Sequence, residues 1–378
     1  MTKLSDAFDI NGMHLRNRLV LPALTTNFAT TEGAVTGDIL DFYRLRSKDV
    51  GLVIVEAAAV KQSGRITPRS MGVWSDDQVP GLSALVRAIK AEGAAAVLQI
   101  AHAGAQSVPG IHGQWGATPS GIAFNPDVDA VPMKTADIRQ TVSAFAEAAA
   151  RAAAAGFDGI EIHGAHWYLV SQFLSPVTNK RDDAYGGNAR NRARMAVEIV
   201  TEIRKTLGKT YPVLFRLNAV EKINGGQSVE DALTAAKLLA RAGVDAIDVS
   251  LIAQCKWSGI DGHSYLTGTS VLPMDAPAGA NAPLVAAFKA AMDTPAIGVG
   301  KLGDNASASH MVGTGQADLA AIGRQLMADP DAGGKIINGQ PDDIIRCKEC
   351  LACMERIGRG KPVICAVNDD LTGRAGKP

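Results

Sequence analysis

The chain of 378 residues lacks any excess of charge, with 38 Lys and Arg set against 38 Asp and Glu. Without a basic or acidic surplus there is no electrostatic case for nucleic acid or an anionic membrane as a partner. A long apolar run is missing too. No stretch approaches the roughly 18 residues of a membrane helix, and the opening MTKLSDAFDINGMHLRNR carries charges where a signal peptide needs an apolar segment. The expectation is a cytoplasmic protein. Cysteine is scarce: five residues in a chain of this size make no disulfide scaffold, although four of them fall after residue 346. The length would hold two average domains, but α/β barrels of this size fold as one, with ample core.

What is present is concentrated in residues 159–194, GIEIHGAHWYLVSQFLSPVTNKRDDAYGGNARNRAR. The Ala-rich segment before it, Ala136 to Gly156, has no internal Pro or Gly and reads as a helix ended by Gly156 in a left-handed cap. A helix followed within two residues by the short apolar strand GIEIH is half of a βαβ unit, whose ligands sit at the carboxyl end of the strand. His163, His166 and Tyr168 fall there. Two imidazoles three residues apart can both donate to one oxygen and polarise a carbonyl or nitro group, while a nearby phenol can deliver a proton. Two other readings stay open from the residue types alone. The histidines could ligate a metal, although no carboxylate or cysteine follows at a useful spacing, or they could be hydrogen-bonded core residues.

The stretch resembles the Old Yellow Enzyme family of flavin-dependent ene-reductases. That family carries His-x-x-[His/Asn]-x-Tyr-Leu, then Gln-Phe-Leu-x-Pro, Asn-x-Arg-x-Asp-x-Tyr-Gly-Gly and Asn-Arg-x-Arg. Here these are His163, His166, Tyr168, Leu169, Gln172 to Leu174, Pro176, Asn179, Arg181, Asp183 or its neighbour Asp182, Tyr185, Gly186, Gly187, Asn191, Arg192 and Arg194. The resemblance implies a bound FMN and NAD(P)H as reductant. It also implies a histidine pair that holds the substrate oxygen and a tyrosine that protonates the α carbon.

Taken in order, Asn11-Gly12 within FDINGMHLRNRLV is a hairpin signal. Eight strands follow, at 19–24, 51–57, 95–101, 158–163, 212–217, 244–250, 295–300 and 318–322, each succeeded by a helix or loop. They predict an α/β fold, a (β/α)8 TIM barrel with an N-terminal β-hairpin and long βα loops. The barrel spans 1–340, and 341–378 form a cysteine-containing tail packed on it. The loops from Val108 to Pro132 and from Leu251 to Ala282 are long enough to cover an active site. Trp257, His263 and Tyr265 in the second are candidate substrate contacts. By the resemblance, Ala23, Leu24 and Thr25 touch the flavin at the end of the first strand. Ala57 is small enough for a flat ring to approach. Gln99, an amide in an apolar strand, pairs with the pyrimidine edge unless it is merely structural. His102 reads as mainly structural. Arg216, buried in mid-strand, must face an internal Asp or an electron-rich acceptor, and the resemblance places it at the flavin N1 and O2 edge.

Near the end GVGKLG, 298–303, matches Gly-x-Gly-x-x-Gly. A dinucleotide site would want this in the first βαβ unit, with an acid at the tip of the next strand. Its late position fits better the phosphate site that barrels build after strands seven and eight. Gly300, Lys301, Gly323 and Arg324 would hold one phosphate group there, and the resemblance implies that it is the FMN phosphate.

The tail places Cys347, Cys350, Cys353 and Cys365 in RCKECLACMERIGRGKPVIC. Four thiolates so spaced could bind a [4Fe–4S] cluster or a zinc ion, or remain free. The segment resembles that of the dienoyl-CoA reductases and trimethylamine dehydrogenases, long relatives of the same family. The leading expectation is an FMN-dependent enzyme that uses NAD(P)H to reduce the C=C bond of small activated alkenes. An iron–sulfur flavoprotein needing a partner electron donor is the rival within the family, and a non-redox phosphate-binding barrel, an isomerase or aldolase, the rival outside it. A homo-oligomer is left open.

Overall fold

A computed structural model describes residues 2–107, 116–124, 130–260 and 263–373, with the backbone alone at 259, 260 and 263–265. Strands β1 (Phe8–Ile10) and β2 (Met13–Leu15) form the expected antiparallel hairpin, turned by Asn11 and Gly12 at φ 48° and 83°. Barrel strands β3 (Leu19–Leu21), β4 (Leu52–Ala59) and β5 (Ala95–Ala101) follow. The next loop carries a short parallel pairing of β6 (Gly116–Thr118) with β7 (Ala130–Pro132). The barrel resumes with β8 (Gly159–Gly164), β9 (Val213–Glu221) and β10 (Ala246–Ile252). An antiparallel pair, β11 (Gln254–Ile260) and β12 (His263–Thr269), interrupts it before β13 (Ala296–Val299) and β14 (Leu319–Ala321). The eight barrel strands are all parallel, and β14 pairs back onto β3 to close the ring.

Helices wrap the outside: α1 (Gly37–Arg46), α2 (Val79–Ala91), α3 (Thr135–Ala155), α4 (Leu169–Leu174), α5 (Ala189–Arg192), α6 (Arg194–Leu207), α7 (Val229–Ala242), α8 (Ala282–Ala291), α9 (Asn305–Gly313), α10 (Arg324–Ala328), α11 (Ala332–Ile337) and α12 (Ala352–Gly358). None among the described residues is long and apolar enough to cross a membrane. Gly156 ends α3 at φ 96°, in the left-handed region where glycine pays no Cβ penalty. Helices α5 and α6 follow one another directly and break at Ala193. The region 251–282, expected as loop, contains the β11–β12 hairpin.

Period-two alternation of the strands decides what enters the barrel. At its amino-terminal end the inward side chains Val20, Leu52, Ile54, Ala95, Val97, Leu214, Ala246, Ile297 and Leu319 pack with Ile10, Met13 and Leu15 of the hairpin, which plugs that end. The next inward positions are polar: Gln99, Glu161, Arg216 and Asp248, all buried. One step further come His163, Asn218 and Ser250. In β4 the register against β5 shifts between Val55 and Ala58. Such an extra residue exchanges the two faces of the strand, so Ala57, and not Glu56, faces the interior. Glu56 instead accepts bonds from Thr26 N and Oγ1, at 2.9 and 2.6 Å.

The tail is bound to the barrel throughout its described length. Asn27 Nδ2 donates to Ile357 O and Lys361 O, at 3.3 and 3.0 Å. Val363 N donates to Thr26 O at 2.8 Å, and Arg46 Nη1 reaches Leu371 O at 2.9 Å.

At the carboxyl end of β8, a Cβ on Gly164 would lie 2.2 Å from the Phe215 ring. Gly164→Ala should therefore overpack the barrel wall and destabilise it by about 1–3 kcal/mol. Urea unfolding checks this, and an unchanged midpoint would contradict the close approach.

Candidate active site

At the carboxyl end of the barrel opens a cavity of about 790 Å³. Its wall brings together Ala23, Leu24 and Thr25 after β3, Ala57 of β4, Gln99 of β5, His163, His166 and Tyr168 at the end of β8, Arg216 of β9 and Arg324 at the start of α10. A second hollow, about 260 Å³, is lined by Gly300, Lys301, Gly303, Gly323, Arg324, Arg346 and Asn281. The two share Leu24, Arg216, Ser270, Val271 and Arg324, so they adjoin along those residues.

The three residues at the end of β8 form an edge-to-face cluster. The His163 ring lies 5.0 Å from that of His166 and 4.9 Å from that of Tyr168, centroid to centroid. Burial, and then the charge of Arg216, holds both imidazoles well below their usual pKa, so both are neutral at physiological pH. Burial pushes the Tyr168 phenol up to about 12, against the pull of Arg216, so it keeps its proton. His163 Nδ1 accepts a long bond from Ala165 N at 3.4 Å, which leaves Nε2 as the protonated nitrogen. His166 Nε2 lies 2.7 Å from Ser250 Oγ, and His166 N donates to Asn218 Oδ1 at 3.2 Å.

Beneath them, Arg216 meets the internal aspartate allowed for in the sequence, with Nε 3.2 Å from Asp248 Oδ2. Gln99 Nε2 donates to Glu161 Oε1 at 2.7 Å. Burial first, then the charge of Asp248, pushes the Glu161 carboxyl up to about 8, against Arg216 and Gln99. Burial raises the Asp248 carboxyl as well, against the pull of Arg216, so the layer sets one cation against two carboxyls that both resist losing a proton. His102 is buried and pushed down to about 3, by burial and then by Lys61. Its Nδ1 accepts from Gly104 N at 3.1 Å, a bond within the loop.

The observed geometry fits a flat ring with a phosphate arm. Asn281, 5% exposed, has a side-chain oxygen without a partner. A Cβ on Gly300 would strike its amide at 2.7 Å, and one on Gly323 would crowd Leu24 and Pro22 at 3.3 Å. The glycines keep that cradle open. Lys301 departs from expectation. Its ammonium donates to Met274 O and Ala276 O, each at 2.6 Å, and pairs with Glu349 at 2.9 Å. Its charge already serves the 270–280 loop and the tail.

The four tail cysteines line one small hollow with Arg324 and Met327. All are free thiols. Between them Glu349 and Leu351 lie in the left-handed region, φ 55° and 59°, and Glu349 N donates to Cys347 Sγ at 3.4 Å. Among the described residues no three His, Cys, Asp or Glu side chains converge tightly enough to hold a single metal ion.

Sequence reasoning missed several residues. Ser250 and Asn218 lie two positions beyond Asp248 and Arg216 on the same strands, and the period of two would have found them. The tail was treated apart, yet Cys353, Met354, Ile357, Gly358, Arg359 and Gly360 line the main cavity; no local pattern signals that. Trp257 is 47% exposed and is not among the residues lining the cavity. The side chains of His263 and Tyr265, and residues 108–115 and 125–129 of the first long loop, lie outside the described residues.

With this geometry in hand, comparison with known proteins is informative. The chain matches the NADH:flavin oxidoreductase / NADH oxidase family over residues 3–343. An NADH oxidase of Thermoanaerobacter brockii is 34% identical over 375 residues, which cover 97% of this chain and 56% of that protein. An NADPH dehydrogenase of Halalkalibacterium halodurans is 36% identical over 332 residues, covering 87% of this chain and 92% of the relative. Among solved structures, a 2-naphthoyl-CoA reductase in complex with 2-naphthoyl-CoA is similar at a TM-score of 0.91 and 26% identity, over 99% of this chain and 58% of that one. An Old Yellow Enzyme homologue from Zymomonas mobilis gives 0.75 and 25%, over 90% and 94%. The chain therefore spans little more than half the length of one kind of relative and nearly all of the other.

The Glu161 proton has a measurable consequence. Its folded pKa of about 8 stands above the ordinary 4.5, so between those values the folded chain holds a proton that the unfolded chain has lost. Stability from this group must fall as pH rises through that window. Wild type should lose urea resistance relative to Glu161→Gln between pH 5 and 8, and a difference independent of pH would contradict a proton held there.

Proposed function

The chain belongs to the NADH:flavin oxidoreductase / NADH oxidase family, and from that membership we propose that it uses FMN and NAD(P)H to reduce the C=C bond of activated alkenes, α,β-unsaturated carbonyl or nitro compounds. The observation that carries the proposal is the end of β8, which holds two neutral imidazoles and a protonated phenol at a cavity that Gln99 and Arg216 of the flanking strands and Ala57 of β4 also line. When bound, FMN supplies the hydride relay from NAD(P)H to the β carbon of the alkene. Ala23, Leu24, Thr25, Ala57 and Gln99 would bound its ring. Gly300, Gly323 and Arg324 would hold its phosphate, with Lys301 shaping the loop.

His163, protonated on Nε2, donates to the substrate carbonyl or nitro oxygen. The reading takes His166 as the tautomer whose Nε2 accepts from Ser250 Oγ, with the other ring nitrogen as the second donor. Two fixed donors in a water-poor cavity stabilise charge developing on that oxygen. Tyr168 then delivers its proton to the α carbon. Arg216, in register with His163 on the neighbouring strand and paired with Asp248, would present its guanidinium to the ring site.

A second reading, an iron–sulfur flavoprotein supplied by a partner electron donor, is favoured by the cysteine hollow alone. Two non-glycine residues held left-handed between consecutive cysteines cost roughly 1–2 kcal/mol each, strain that persists only where the surroundings over-determine it. Cys347, Cys350, Cys353 and Cys365 would hold a [4Fe–4S] cluster, which supplies one-electron transfer.

Tyr168→Phe should slow alkene reduction by about 10²–10⁴-fold while NAD(P)H still reduces the flavin within twofold of wild type, both read by stopped-flow absorbance; undiminished alkene reduction would remove Tyr168 as proton donor. Iron and acid-labile sulfide on anaerobically purified protein should come to about four of each per chain if the cysteines hold a cluster. Neither would be found if the chain works through FMN alone.

A further inference from the structure

A backbone anomaly sits between the two donors and the acid. His166 and Trp167 are consecutive non-glycine residues in the left-handed region, at φ 59° and 55°. Each costs roughly 1–2 kcal/mol against the right-handed basin, so something must hold this turn, which points His166 one way and Tyr168 the other. The indole of Trp167 is the anchor. It is 1% exposed, and its Nε1 donates to Glu221 Oε1 at 2.5 Å. Glu221 is the last residue of β9 and is itself buried. Its second oxygen accepts from Ser175 Oγ at 2.6 Å and from Gln227 N at 3.0 Å. One carboxylate therefore ties the end of β9, the segment after α4 and the catalytic turn.

The carbonyls of the turn are held as well. Gln106 Nε2 donates to His166 O and Trp167 O, each at 2.8 Å, and Gln172 Nε2 to Trp167 O at 2.6 Å. On its other side the indole packs against the cavity cover. It clusters with Val177, Ile252 and Leu266, and the Phe124 ring lies 5.5 Å away. A Cβ on Gly268 of β12 would lie 2.6 Å from the indole, so that glycine is what lets the hairpin close down on it. Gly268, Thr269, Ser270 and Val271 line the cavity, whereas Trp167 is not among the lining residues.

We infer that Trp167 is a positioning residue. Moored on Glu221, its indole fixes the left-handed turn that aims His166 and Tyr168 and seats the β11–β12 hairpin over the cavity. The grip on the substrate oxygen and the delivery of the proton then depend on a side chain outside the cavity wall. The inference rests on the alkene-reduction reading.

The test compares Trp167→Phe, which keeps a ring and loses the N–H, with Trp167→Gly, which suits the left-handed turn and loses the anchor. Glu221→Gln keeps an acceptor for the indole and Glu221→Ala removes it. Each flavin-loaded enzyme is reduced photochemically and reoxidised, in separate experiments, by 2-cyclohexenone and by dioxygen, which needs neither donor nor acid. The expected result is a fall in the enone rate of threefold or more for Trp167→Phe and tenfold or more for Trp167→Gly and Glu221→Ala. Glu221→Gln should fall between Glu221→Ala and wild type, and dioxygen rates should stay within twofold throughout. Enone rates equal to wild type in Trp167→Phe and Glu221→Ala would overturn the inference and leave the reduction reading intact. Parallel losses with enone and dioxygen would also overturn it, since they report general loosening. A wild-type enzyme that the enone does not reoxidise would overturn the reduction reading and this inference with it.

Discussion

The structure depends on how a parallel barrel tolerates a guanidinium in its interior. Arg216 lies in the middle of β9 with its side chain 9% exposed, where an isolated charge would cost several kcal/mol. Asp248, paired with it in register on the neighbouring strand, offsets that cost. Glu161, on the other flanking strand, avoids adding a second negative charge by keeping its proton. Arg216 discourages protonation of His163 and His166 and favours an anion over the cavity floor. The same field leaves the imidazoles as neutral donors, while burial keeps the phenol protonated. The chemistry of the wall follows from the ion pair below it.

Strand alternation carries that arrangement from the sequence to the cavity. The N-terminal hairpin fills the bottom of the barrel with Ile10, Met13 and Leu15, so the carboxyl end alone is open for a ligand. Strands β8, β9 and β10 then each supply a polar residue one step above this apolar plug and a reactive or supporting residue one step higher, and β5 supplies Gln99. The extra residue in β4 turns Ala57 inward, where Glu56 would have put another carboxylate into the layer. The tail completes the space from outside the barrel, through Asn27 bonds to Ile357 and Lys361 and through residues 353–360 at the cavity wall.

Much of this was legible in the chain. The eight strands fall within a few residues of expectation because parallel barrel strands are buried on both faces and read as apolar runs. The residues named for the two hollows line them because they sit at strand ends, which the alternation of strand and helix locates. What stayed hidden depends on contacts distant in sequence. Lys301 looked like a phosphate ligand until its ammonium was found on Met274, Ala276 and Glu349. The β11–β12 hairpin is signalled by Asp261-Gly262 in the sequence, a cue lost in a segment read as loop, and its fit against Trp167 depends on the missing side chain of Gly268. No local pattern announces that Glu221 reaches back 54 residues to that indole.

The central claim is that the ring cavity and the phosphate hollow form one FMN site. The most direct measurement is equilibrium titration of flavin-stripped protein with FMN and with riboflavin, followed by flavin fluorescence. The account expects saturation at one FMN per chain with quenched fluorescence. It expects riboflavin to bind more weakly by roughly a hundredfold or more, since it forgoes at least one or two charge-assisted bonds to the phosphate. Equal affinity for the two flavins, or no binding of FMN, would contradict it.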